Sequence, residues 1–137
     1  MKIAIAGLGY VGLSNALLLA QSHEVVAYDI DQNKIKTINR GLSPFIEPDI
    51  ENFLSNEKLD FRATSSKKDA FQGAHFIIIA TPTDYNLKSD SLNTESVYEV
   101  IQDAIKIHPG SIIVIKSTVP IGFTAKVKDK LNIKKIL

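Results

Sequence analysis

The chain has 137 residues, 45% of them hydrophobic, with 16 Lys and Arg against 15 Asp and Glu. That is one domain's worth of chain with enough apolar content for a packed core, and its balanced charge gives no electrostatic reason for nucleic acid or a membrane as partner. Cysteine is absent, which excludes disulfides, thiolate metal sites and cysteine nucleophiles within these residues.

Ile3 to Ala6 is a short, uncharged, largely β-branched run, the pattern of a parallel strand buried on both faces. Gly7, Gly9 and Gly12 follow as G-x-G-x-x-G. This spacing permits a sharp turn at Gly7, leaves no side chain between Gly9 and a pyrophosphate, and lets a helix pack closely on the strand at Gly12. The free N–H groups and positive dipole end of that helix would face the anion, and Tyr10 is a candidate cofactor residue with the glycines. The helix, about Val11 to Gln21, is apolar on nearly every face and is expected to be well buried. Glu24 to Asp29 predicts the second strand. Asp29 stands 17 residues after Gly12, where a carboxylate accepts hydrogen bonds from both ribose hydroxyls of an adenosine. It would repel a 2′-phosphate, and no arginine follows closely, so NAD is preferred to NADP.

Asp31 is an N-cap candidate for a helix to about Asn39. Lys34, in its first turn, can approach the adenosine end of a cofactor or be an ordinary solvated lysine. Gly41 to Pro48 reads as a turn-rich link, Asp49 to about Asn56 as a helix, Asp60 to Thr64 as a third strand and Ser66 to Gln72 as a short helix. His75 to Ala80 predicts a fourth strand, lying beside the first in a sheet of order 3-2-1-4-5-6, with its carboxyl end on the cofactor crevice. Thr81 and Thr83 bring hydroxyls and backbone amides to that end, while Pro82 stops the strand and stiffens the turn.

Asp84 to Asn93 is polar and turn-prone, which predicts a mobile loop. Thr94 is an N-cap candidate for a helix to about Ile107, with Val97, Val100, Ile101, Ala104 and Ile105 at helical spacing. Ser111 to Lys116 predicts strand five, and Thr118 at its carboxyl end is where the nicotinamide half of an extended dinucleotide would reach. Phe123 to about Leu131 is a last helix, and Ile136-Leu137 reads as the opening of a sixth strand. His23, His75 and His108 are far apart without ligand spacing, and no metal site is expected. No stretch reaches the roughly 18 apolar residues of a membrane-spanning helix, and the amino terminus runs straight into a strand; a cytoplasmic protein without membrane contact is expected. The alternation of elements predicts an α/β fold, a Rossmann-type doubly wound parallel sheet with flanking helices, truncated at its sixth strand, over residues 1–137.

G-L-G-Y-V-G-L at 7–13, G-L-S-P at 41–44, A-T-P-T at 80–83 and I-K-S-T-V-P-I-G-F at 115–123, in this order and spacing, resemble the amino-terminal NAD-binding domain of the UDP-glucose/GDP-mannose dehydrogenase family, and within it the UDP-glucose 6-dehydrogenases. The resemblance covers essentially the whole chain. It implies oxidation of a nucleotide sugar's C6 alcohol to the carboxylate with two NAD, giving UDP-glucuronate in the UDP-glucose case. It also implies that Val11 contacts the cofactor, that Asp29 holds the adenosine ribose with Lys34 beside it, and that Thr83 and Thr118 line the nicotinamide side. Thr118 would further help to orient the reacting water or thiol. The family's cysteine nucleophile, its central dimerisation helix and its carboxyl-terminal UDP-binding domain have no counterpart in these residues. The chain is therefore expected to bind NAD without turnover, with the UDP-sugar substrate and a homodimer belonging to the complete enzyme. A GDP-mannose or UDP-N-acetylhexosamine 6-dehydrogenase, a non-catalytic NAD-sensing module and a 3-hydroxyacid dehydrogenase are the alternative readings.

Overall fold

In the computed structural model, which describes residues 1–55 and 58–137, five short apolar runs pair into one parallel sheet. They are β1 (Lys2–Ala6), β2 (Glu24–Tyr28), β3 (Phe61–Thr64), β4 (Phe76–Ile79) and β7 (Ile112–Ile115), in the order β3-β2-β1-β4-β7. Parallel pairing demands a crossover between neighbours, and α1 (Tyr10–Leu19), α2 (Gln32–Asn39), α3 (Pro48–Leu54), α4 (Lys67–Phe71) and α5 (Glu95–Ile107) supply them, with α6 (Phe123–Leu131) last. Ile136 then forms a parallel bridge to Ile113 and is buried, so the sixth position of the sheet begins where the sequence predicts it.

Side chains alternate across a strand, and both faces of this sheet are covered. Ile3 and Ile5 of β1 pack with Val25, Leu13, Leu17 and Ile35 on one face. Ala4 and Ala6 point into the opposite cluster with Phe71, Ile77, Ile79, Val97 and Ile101. The chain reverses its direction of winding at β1, where β2 pairs on one side and β4 on the other. The carboxyl ends of these three strands therefore border a crevice at the switch point.

Two local expectations are corrected. The first helix is buried on one side only: Gly12, Leu13, Ala16 and Leu17 face the sheet, whereas Leu18 is 63% exposed. A helix over a single sheet has a solvent face whatever its composition. The expected loop at 84–93 closes as a two-stranded antiparallel hairpin, β5 (Tyr85–Asn86) with β6 (Ser91–Leu92). Asn86 Oδ1 accepts from the N–H groups of Lys88 and Ser89, and Asp90 takes the left-handed conformation; the residues that mark a loop are also those that close a tight turn. Thr94 occupies the N-cap of α5 without a side-chain bond, and Asn93 Oδ1 accepts from Glu95 N instead. The third helix runs Pro48–Leu54; its expected end at Asn56 lies outside the described residues. Asp31 caps α2 as predicted, accepting from the N–H groups of Asn33 and Lys34. Among the described residues no helix is long and apolar enough to cross a membrane.

Candidate cofactor-binding site

The turn from β1 into α1 is set by backbone contacts. Gly7 has φ +99, and a Cβ on it would lie 2.6 Å from the carbonyl oxygen of Ala80, at the end of β4. A Cβ on Gly12 would lie 1.8 Å from the carbonyl oxygen of Gly7. No side chain fits either position. Gly9 differs: a Cβ there would meet nothing within 4 Å, so its missing side chain is required by nothing inside the protein. Gly9 is the N-cap of α1 and offers no side-chain bond, and the first turn carries no acidic residue. The first N–H groups of the helix, which have no intrahelical acceptor, are left for an anion.

Asp29, at the end of β2, locks this turn. Its Oδ2 accepts from Leu8 N at 2.8 Å and its Oδ1 from Asp31 N at 2.9 Å. Each carboxylate oxygen retains acceptor capacity, so two backbone amides fix the group while it can still receive hydroxyl hydrogens. Lys34 lines the same cavity, its Nζ 5.9 Å from the centroid of the Phe45 ring, and Tyr10 meets that ring edge-on at 6.4 Å. Phe45 is brought there by the 41–48 link, where Ser43 Oγ donates to Phe45 O and accepts from Phe45 N.

Across the crevice, Ser96 Oγ donates to Pro82 O and is also hydrogen-bonded to Thr81 Oγ1, and Ser117 Oγ donates to Thr81 O at 2.7 Å. These two serines hold the end of β4 in place. Between the walls is a cavity of about 420 Å³, large enough for part of a dinucleotide. Of the predicted site residues, Gly7, Gly9, Asp29, Lys34, Thr81 and Pro82 line it. Tyr10, Val11, Gly12, Thr83 and Thr118 do not: Gly12 is buried against Gly7, Tyr10, Val11 and Thr118 are exposed, and Thr83 is half-buried.

The cavity also takes residues that sequence reasoning missed, among them Lys67 from α4 and Ser96, Glu99 and Val100 from α5. Lys67 Nζ donates to Asp103 Oδ2 at 2.6 Å and to Glu99 Oε1 at 3.4 Å, and stands 5.5 Å from the centroid of the Tyr28 ring. Burial pushes the Lys67 pKa down, but the Asp103 hydrogen bond and the nearby acidic groups outweigh it, and the net shift is upward. The i, i+4 spacing of Glu99 and Asp103 on one helix was the available signal; their cation, 32 residues before Glu99, was not legible.

A parallel switch point that carries a glycine turn at a helix start and a carboxylate fixed beside it defines a dinucleotide-binding domain, and these residues fit the two phosphates and adenosine ribose of such a cofactor. The profile of the UDP-glucose/GDP-mannose dehydrogenase family, NAD binding domain, matches residues 1–136. This chain belongs to that family, as its NAD-binding domain. UDP-glucose 6-dehydrogenase of Campylobacter jejuni is 44% identical over 100% of this chain and 35% of that protein. Its counterpart from Streptococcus pneumoniae is 41% identical with the same two coverages, 100% and 35%. The solved UDP-D-ManNAc dehydrogenase of Pyrococcus horikoshii matches with a TM-score of 0.86 at 33% identity, over 96% of this chain and 32% of that one. The chain thus spans about 35% of the length of the curated relatives it matches.

Proposed function

We propose that residues 1–137 are the cofactor domain of a UDP-glucose 6-dehydrogenase, which oxidises the C6 alcohol of UDP-glucose to the carboxylate with two NAD. The observation that carries this reading is the Asp29 carboxylate, held by two backbone amides on the open side of a glycine turn. Asp29 accepts the adenosine ribose hydroxyls, and its charge disfavours a 2′-phosphate. The amides around Gly9, Tyr10 and Val11 receive the pyrophosphate at the start of α1, with Gly7 and Gly12 shaping the turn. Lys34 adds a positive charge beside ribose and phosphate.

Thr81, Pro82 and Thr83 form the opposite wall, and Thr118 stands at the nicotinamide end, where its hydroxyl orients water or the attacking group. NAD, when bound, supplies the hydride acceptor. The nucleophile, the UDP-sugar site and the homodimer contacts belong to sequence outside these residues, and the complete enzyme is cytoplasmic. Glucose is favoured as the sugar because the UDP-glucose enzymes of Campylobacter jejuni and Streptococcus pneumoniae share 44% and 41% identity with the chain, against 33% for the UDP-D-ManNAc enzyme and 33% for the UDP-glucose enzyme of Bacillus subtilis.

Calorimetric titration of the chain tests the cofactor assignment. Saturable binding of NAD, much weaker binding of NADP and no heat from UDP-glucose are expected. A folded chain that ignores NAD, or prefers NADP, overturns it.

A further inference from the structure

The cavity has a second polar feature besides the Asp29 carboxylate. Its lining also includes Ile30, Pro82 and Val100, apolar groups suited to a flat base, together with the polar side chains Ser96, Lys67 and Glu99. Two of these polar groups are already committed. Ser96 Oγ bonds to Thr81 and Pro82. Lys67 is anchored to Asp103 at 2.6 Å with the Tyr28 ring beside it. Glu99 is different: it receives only the longer 3.4 Å contact from Lys67, and its side chain is 70% exposed. Its carboxylate keeps acceptor capacity on the cavity wall, steadied by Lys67.

We infer that Glu99, positioned by Lys67 and Asp103, reads the base of the bound dinucleotide by accepting a hydrogen from the 6-amino group of adenine. The inference rests on the NAD assignment above. An amino group at position 6 is a donor, whereas a 6-oxo purine presents an acceptor there, which would face the carboxylate without a hydrogen between them. A site built around an acceptor discriminates because the wrong base leaves two acceptors opposed. The exposure of Glu99 lets water relieve part of that penalty, so the expected preference is modest. It is about threefold to tenfold in affinity.

The test compares NAD with nicotinamide hypoxanthine dinucleotide, its 6-oxo analogue, by direct titration of the wild-type chain and of Glu99→Gln, Lys67→Met and Lys67→Arg. Wild type should prefer NAD. Glu99→Gln, whose amide can also donate, should bring the ratio to about one or reverse it. Lys67→Met should narrow the ratio and Lys67→Arg restore it, which a merely structural role for Lys67 would not do. Wild type that binds both dinucleotides equally, or Glu99→Gln that keeps the ratio, overturns the base-reading role and leaves the NAD assignment standing. A folded wild-type chain that binds neither overturns both.

Discussion

At the phosphate turn a single added methyl group has nowhere to go: Gly12 would place it 1.8 Å from a backbone oxygen. Thr118, by contrast, is exposed and does not line the cavity. The inner half is held by strands β1, β2 and β4 and by the Asp29 carboxylate, so its shape exists before any cofactor arrives. On the other wall Ser96 and Ser117 hold Thr81 and Pro82, but the exposed Thr118 side chain takes no part in that frame. A domain built this way should bind the adenosine and phosphate end of NAD by itself and contribute little to selectivity at the nicotinamide end.

The largest effect that would sharpen this contrast is on Gly12. Gly12→Ala should cost about 3 kcal/mol or more of stability, since no rotamer change moves a Cβ away from backbone; a denaturant midpoint equal to that of wild type would contradict the turn geometry. Asp29→Ala should weaken NAD binding by about 1–3 kcal/mol, read by calorimetry on a variant shown to be folded; unchanged affinity removes Asp29 from the site. Gly9→Ala is the informative partner of Gly12→Ala. Its φ of −72° suits any residue and its Cβ meets nothing, so stability should hold within about 0.5 kcal/mol. NAD affinity should still fall by about tenfold or more, because the new methyl stands where the backbone approaches the pyrophosphate. Normal NAD binding by Gly9→Ala would make the turn purely structural.

Smaller effects lie away from the turn. Arg62 of β3 forks onto Asp69 of α4, with one contact at 2.7 Å and side chains 49% and 42% exposed. The Arg62 hydrogen bond holds the Asp69 carboxyl below its ordinary value. A lowered carboxyl pKa stabilises the fold above the ordinary carboxylate range, and the contribution is lost as pH falls through the lowered value. Arg62→Met should therefore be less stable than wild type at neutral pH, by under about 1 kcal/mol given the exposure, and the gap should close in acid; a gap independent of pH contradicts the pair. Thr118→Ala should change the affinity of the chain for ADP and NAD by less than about twofold, within the usual range of an exposed substitution. Equal, larger losses of both ligands would move Thr118 into the adenosine half.

What the sequence made legible follows the same division. Gly7, Gly9, Gly12 and Asp29 were readable because sterics and charge leave few alternatives at those places, and the β-branched runs gave the sheet its strands and order. Lys67 and Glu99 were not, because the crossover topology, rather than any local pattern, brings α4 and α5 to the same cavity. Phe45 belongs with them: it sat in a link read only as a turn, yet it meets both Lys34 and Tyr10. The hairpin at 84–93 was missed because polar turn residues mark loops and tight hairpins alike.

The central claim, that NAD enters at the glycine turn beside Asp29, is tested most directly by following backbone amide resonances of the chain as NAD is added. The largest shifts should fall on Leu8, Gly9 and Tyr10 and on Asp29 to Asp31, whose Leu8 and Asp31 amides bond to the carboxylate, with Thr118 moving little. Saturable NAD binding that leaves the Leu8 and Gly9 amides unmoved would contradict the account.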